Sequence, residues 1–510
     1  METPVGRALL RLTGVSLVLV VVVALVAPRQ PNISYDRGIV VVALVVCLAA
    51  AWFGRVPARL KSRWVPVVVA VAGGGVAAGL GLALRYDFGW DARVILEMAR
   101  SMHAGRPLSD VEYGYLSLYP NTIPLLVIDR FGVEVAAALG LAPDAVLIVL
   151  TGVCVGMTLY AAHLLVAPVA GRGAALVTQL VVVALVGVSP WVSVPYTDYY
   201  AMPFVVGGVA LAAAAGRRRG RPAQVTLGFL AVAATAVAYV IKTTPAVVIV
   251  ALVAVVLVRL ADDWSPARAR ELVPTAVAAV LAFLALSSAL TAGAALASGL
   301  ETDRVDRDVS PPVVWWLANG MNEQLNAAGE VQYGTYRRDM VTAIEGRTPA
   351  EMREYARAYI EDRWEHRGVF GMVAFYANKT AWNWGDGMFW AWGEGPDSQP
   401  GRVVPRDPVA VAVNDVNGLQ GRWYPLRANL TQGLWLAVLL VAGVGLLRER
   451  SARRETLVLA VTVLGIAIFT ILFQGRSRYL FAFAPVVVAL AALGRSRVEL
   501  RSIRRRFGPR

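Results

Sequence analysis

Long apolar runs separated by short arginine clusters recur from one end of this chain to the other. Stretches such as Gly14–Ala27, Gly38–Gly54 and Val65–Leu84 approach the ~20 apolar residues that cross a hydrocarbon core of about 30 Å. The chain is 57% hydrophobic and 16% charged, with mean hydropathy +0.57. It therefore carries more apolar surface than a soluble domain can bury. A soluble enzyme, a disordered tail and a fibrous protein are excluded, and the expected fold is an all-α polytopic membrane protein.

The net charge of +14 would suggest nucleic acid in a soluble protein. Here the arginines sit between apolar runs, where the positive-inside rule is the simpler cause, so no nucleic-acid partner is expected. Three lysines stand against 46 arginines in a chain dominated by Ala, Val, Gly and Leu, which suggests a GC-rich bacterial genome. Cys47 and Cys154 both fall inside apolar runs and support neither a disulfide framework nor a cysteine metal site. Met1–Arg11 opens like a signal peptide but lacks a clear small-residue cleavage site, and reads as the start of a retained first helix.

Apolar runs and arginine clusters together predict about twelve transmembrane helices: 9–27, 38–54, 64–84, 144–166, 173–190, 200–215, 224–241, 244–260, 272–297, 430–447, 455–473 and 478–494. With both termini cytoplasmic, the clusters at Arg55–Arg63, Arg172, Arg217–Arg221, Arg448–Arg454 and the basic tail all fall on the inner side. The stretch Asn121–Leu141 is apolar but contains Asp129, Arg130 and Glu134. Charges in mid-bilayer are costly, so it is assigned to outer-face juxtamembrane helices. Arg85–Pro143 then forms a first outer loop and Gly299–Asn429 a large outer segment. That segment holds a helix-like run, Pro349–Arg367, with Thr348 as its N-cap, and a Trp-rich stretch, Trp382–Trp392.

The candidate chemistry lies at the outer ends of the spans. Asp87 and Asp91 follow the third span four residues apart, sharing a face if helical. A carboxylate anchored there can act as general base on an acceptor hydroxyl; acidic residues also suit a solvated helix start. Tyr119-Pro120-Asn121 turns the chain back to the membrane, or simply begins a helix. Asp198 is the one acid in the loop after Ser189-Pro190, a functional candidate or an interfacial solvated group. Lys242 sits at an outer turn, against the topological trend, and Arg476, Arg478 and Tyr479 occupy the last outer turn. These cations fit a lipid phosphate, or snorkel to ordinary headgroups. His103, His163 and His366 lie far apart in sequence, and no HExxH, CxxC, P-loop or GxSxG motif occurs, so no metal site or nucleotide or serine hydrolysis is indicated. The Trp-rich stretch could stack on sugars or form an interfacial belt.

Taken in order, Asp91, Ala99–Gly105, Tyr119-Pro120-Asn121, Ser189-Pro190 through Asp198, Lys242 and Arg478-Tyr479 resemble the GT-C superfamily of integral membrane glycosyltransferases. The branch is that of protein O-mannosyltransferases and lipid A aminoarabinose transferases, in a bacterial cell-envelope type. Pro311–Asn322, Gly334-Thr335-Tyr336 and Lys379–Gly387 are similar to the outer segment of such members. The sequence departs from the mannosyltransferase pattern at Asp91, which is followed by Ala92 instead of a second acid. The resemblance implies a GT-C-like core over 64–298 including the loop 85–143, preceded by two extra spans in 1–63. An extracytoplasmic segment, 299–429, and C-terminal spans with a basic tail, 430–510, complete it.

It further implies inverting transfer of a sugar from a polyprenyl-phosphate donor to a hydroxyl on the outer face of the cell membrane. Asp91 would be the base. Asp198 would orient the acceptor or a bound divalent cation, the one cofactor for which there is room. Asp87, Tyr119, Asn121, Lys242, Arg476, Arg478 and Tyr479 would bind substrate. The acceptor would be a cell-envelope glycan, lipid or protein, with membrane lipids around. A polytopic transporter, a lipid flippase and a non-catalytic envelope scaffold are the alternatives.

Overall fold

The computed structural model describes residues 4–29, 33–84, 88–218, 220–326, 329–393, 407–449 and 453–494. In chain order the helices are α1 (Pro4–Val26), α2 (Arg37–Phe53), α3 (Val65–Leu84), α4 (Trp90–His103), α5 (Asp110–Leu118), α6 (Ile123–Leu139), α7 (Pro143–Val182), α8 (Thr197–Arg217), α9 (Arg221–Ile241), α10 (Ala246–Asp262) and α11 (Pro266–Ser298). Between α11 and α16 the chain adds α12 (Val313–Gly320), the strands β1 (Glu323–Leu325) and β2 (Val331–Tyr333), α13 (Arg338–Thr342), α14 (Pro349–Trp384) and α15 (Pro408–Asn417). Then follow α16 (Tyr424–Leu447), α17 (Arg454–Leu472), α18 (Arg478–Phe481) and a last helix, Ala484–Gly494.

Backbone amides in hydrocarbon have no water to bond, and a helix satisfies them within one segment. Among the described residues, eight helices are long and apolar enough to cross a membrane: α1, α3, α7 with its continuation to Gly187, α8, α9, α11, α16 and α17. The α7 unit is 45 residues long and bends at Gly171, whose φ of 85° and ψ of 162° suit glycine alone. The bend falls between the two spans expected there. Helices approach closely where side chains vanish: a Cβ on Gly74 of α3 would lie 2.6 Å from the Gly152 carbonyl oxygen of α7, and one on Gly152 equally close to that of Gly74. Such contact maximises van der Waals packing where lipid offers no hydrophobic drive.

The core is continuous. α1 and α2 both pack on α16, and Leu10, Leu17, Leu439 and Leu490 belong to one buried cluster. The charged stretch before α7 forms α6, outside the spanning helices; it packs on α4, α7 and α11. Asp129 on it is buried, and burial pushes its carboxyl well above the usual range against the opposing pull of Arg100.

The stretch between α11 and α16 is fastened to the long apolar helices by buried polar side chains. Thr348 caps α14 in a reciprocal box with Glu351, as its sequence suggests. The helix turns at Gly368, at φ 61°, just past the expected end at Arg367, and runs on to Trp384. Lys379 on this second half is fully buried, and its Nζ donates to the carbonyls of Gly320 (2.6 Å), Phe473 (2.7 Å) and Ile471 (2.9 Å). A cation thereby meets the negative end of α17 and ties α12 and α14 to it.

The Trp-rich stretch departs from expectation. Trp382, Trp384, Trp390 and Trp392 are all buried, so they form neither a sugar platform nor a lipid-facing belt. The reason is Asp386, wholly buried, which accepts from Ser477 Oγ (2.5 Å), Tyr35 Oη (2.6 Å), Trp390 N (2.7 Å) and Met388 N (3.0 Å). These bonds draw the backbone into a tight turn with Phe389, Trp390 and Trp392 at positive φ (52°, 62° and 69°). Such conformations persist where the surroundings over-determine them, and the rings fill the interior between α14 and α16.

Candidate active site

Gly89 is the N-cap of α4, and Asp91 lies in its first turn, half-buried. Two phenols hold its carboxylate: Tyr115 Oη donates at 2.8 Å and Tyr196 Oη at 3.1 Å. Tyr115 arrives on α5, which starts with a capping box of Ser109 and Glu112, and Tyr196 is the N-cap of α8. Burial, and after it the neighbouring Asp91, push both phenols far above their ordinary range, so each stays a donor. Trp90, beside Asp91, has a φ of 42°, a left-handed conformation rare for such a side chain. Its ring packs edge-on against Tyr196 (5.1 Å) and Trp191 (6.4 Å).

Next to this carboxylate lies a buried charged cluster built from three turns far apart in sequence. Asp198, in the first turn of α8, pairs with Lys242 Nζ at 2.8 Å and lies 3.8 Å from Arg478 Nε. Lys242 is the C-cap of α9, and its ammonium sits 5.0 Å above the Tyr479 ring. The Arg478 guanidinium stands among Trp90 (4.8 Å), Tyr196 (5.2 Å), Trp191 (5.7 Å) and Tyr479 (5.8 Å), each an attractive π face for a cation. Arg476 covers Trp390 at 5.1 Å, so the buried turn organised by Asp386 supports the cluster from below.

Electrostatics bind the two halves. Burial lowers the Lys242 pKa, opposed first by Asp198. Burial and then Arg478 pull Arg476 down to about 10. For Arg478 burial acts downward as well, but Asp198, Tyr196 and Tyr479 outweigh it and the net shift is upward. Asp91 favours the charged form of all three cations. Lys242, Arg476 and Arg478 thus share a desolvated site with Asp91 and Asp198, where charges interact more strongly than in water.

Asp91, Asp198, Lys242, Arg476, Arg478 and Tyr479, picked from turns far apart in sequence, therefore meet. Tyr119 joins their edge through Tyr115, at 5.3 Å between rings. Asn121 is exposed and takes no part in the cluster, because the short turn at Pro120–Thr122 leaves it on the surface. Asp87 lies outside the described residues. Tyr115 and Trp90 were not singled out from sequence, and Trp191 and Tyr196 entered only as parts of the element that leads to Asp198, without roles of their own.

Among the described residues no group of three or more His, Cys, Asp or Glu is placed to hold a metal. Asp198 faces two cations instead, a donor set that does not fit a bound divalent ion.

The profile of a family described as conserved hypothetical integral membrane protein matches residues 39–498. The chain belongs to that family. Comparison with curated proteins finds no match. Among solved structures the chain is similar to the archaeal oligosaccharyltransferase AglB from Archaeoglobus fulgidus, in complex with an inhibitory peptide and a dolichol-phosphate. The TM-score is 0.39 at 13% sequence identity, covering 88% of this chain and 53% of that one. The chain thus spans about half the length of this neighbour.

Proposed function

We infer that this multi-pass membrane protein is a glycosyltransferase of GT-C type, moving a sugar from a polyprenyl-phosphate donor to a hydroxyl acceptor. The reaction takes place at the extracytoplasmic face of the cell membrane in cell-envelope glycan assembly. The observation that carries this reading is the half-buried Asp91 beside the buried Asp198, Lys242 and Arg478 cluster. Twelve spans with both termini cytoplasmic would put every member of the cluster on the outer side. Residues 64–298 then form the catalytic core, 1–63 an N-terminal addition, 299–429 the outer segment and 430–510 the closing spans.

In the proposed reaction the acceptor oxygen attacks the anomeric carbon and its proton passes to Asp91. The bond from that carbon to the phosphate oxygen breaks, its electron pair stays on the lipid phosphate, and the configuration inverts. Lys242, Arg476 and Arg478 take up the charge that grows on the leaving group. Asp198 holds Lys242 and Arg478 in register, and Tyr115 and Tyr196 fix the base. Because a lipid phosphate leaves readily, position and charge supply most of the rate.

The test is sugar release by the purified full-length protein from a panel of radiolabelled polyprenyl-phosphate sugars, with envelope extracts as acceptors. Release by wild type that is absent in Asp91→Asn is expected. No release from any donor by a well-folded sample would return the protein to transport or scaffolding.

A further inference from the structure

The aromatic residues on the open side of Asp91 differ from the Trp-rich turn below it. Trp315 is buried in a satellite core with Met340, Val341 and Met352. Anchored there, it leaves its neighbour Trp316 only partly buried and edge-on to it, at 4.8 Å and 86°. Trp316 in turn lies 6.4 Å from the Tyr119 ring. Burial and then the nearby Tyr336, which is 41% exposed, push the Tyr119 phenol upward. The backbone of Tyr336 is held in place, since its carbonyl accepts from Gln324 Nε2 at 3.0 Å and the adjacent Thr335 is fully buried. Tyr119 reaches Asp91 through Tyr115. Three rings from two separate segments of the chain, two partly buried and one exposed, thus lie near the half-buried carboxylate.

We propose that Tyr119, Trp316 and Tyr336 form a saccharide-binding subsite, so that the acceptor is a glycan; its acceptor role rests on the transferase reading above. A sugar ring is apolar on its C–H faces and polar at its hydroxyl edges. A tilted aromatic wall with hydroxyls at the rim matches both, and it costs little side-chain entropy because each ring has only two torsions to fix. Arg478 meets Asp91 through Tyr196 and the aromatic rings meet it through Tyr115, so donor phosphate and acceptor ring would reach the carboxylate past different phenols. The outer segment supplies Trp316 and Tyr336, which gives it a part in choosing the acceptor.

Saturation-transfer NMR on the full-length protein in nanodiscs tests this, with neutral mannan, arabinan, galactan and glucan tetrasaccharides and a Ser/Thr-rich decapeptide as probes. Expected is transfer to the ring C–H protons of at least one tetrasaccharide, weakened about tenfold by Trp316→Ala. Trp316→Phe should restore most of it. Tyr336→Ala, at an exposed position, gives a second variant free of folding effects. Binding of the decapeptide alone, binding of no tetrasaccharide, or saccharide binding indifferent to both alanine variants would overturn the proposal. Sugar release from a donor without saccharide binding would sink the subsite and spare the transferase. Saccharide binding without release from any donor would do the reverse.

Discussion

Two buried ionic assemblies sit close together in this protein, and they are built on opposite plans. Asp386 and Lys379 are each saturated by a closed set of partners: four donors on the carboxylate and three backbone carbonyls on the amine. In the cluster of Asp198, Lys242, Arg476 and Arg478 the charged groups meet one another and aromatic faces. A saturated ion has nothing left to offer a ligand and fixes architecture. Several charged side chains buried together are held at a cost in desolvation, and that is a reason to look for function in them.

Substitutions sharpen this contrast. The largest expected effect is on chemistry: Asp91→Asn lowers sugar transfer about a hundredfold or more with the thermal midpoint in detergent unchanged. Asp386→Ala should behave in the opposite way, stranding buried donors and costing about 3 kcal/mol or more of stability, read as an earlier melting transition. Tyr35→Phe, which removes one of its four donors, costs about 1 kcal/mol by the same measurement. A large loss of transfer with intact melting in Asp386→Ala would break the distinction.

Smaller effects belong to the cations. Lys242→Ala raises the donor KM about tenfold and leaves saturating turnover less affected. Because burial lowers the Lys242 pKa, its charge is lost at a lower pH than that of a free lysine. Donor KM should therefore rise early on the alkaline side, and Lys242→Arg, which stays charged, should move that limb upward. An alkaline limb indifferent to Lys242→Arg would assign it to another group.

The sequence was most legible where a residue defied the membrane pattern. Lys242 is one of three lysines and stands away from the inner arginines; Asp198 and Arg478 are charges at the outer ends of apolar runs. Such exceptions can be read without knowing what they touch. Asp386 was illegible because its partners Tyr35 and Ser477 lie 351 and 91 residues away, and no local spacing announces them. Lys379, quoted within Lys379–Gly387, did not disclose its role as an anchor for the same reason: its carbonyl partners lie 59, 92 and 94 residues away. The Trp-rich stretch misled because composition cannot distinguish rings that fill a core from rings that meet a ligand; Trp315 and Trp316, one buried and its neighbour only partly so, look alike in sequence too. The α-helical, multi-pass class followed from apolar length alone. The bend at Gly171 within one continuous unit needed the backbone.

The division of labour between Asp91 and the cation cluster is tested most directly by measuring donor affinity and single-turnover transfer in the same samples of wild type and Asp91→Asn. The expected result is unchanged donor affinity with transfer abolished in the variant. Transfer retained in Asp91→Asn, or donor affinity lost together with it, would contradict the assignment of the base.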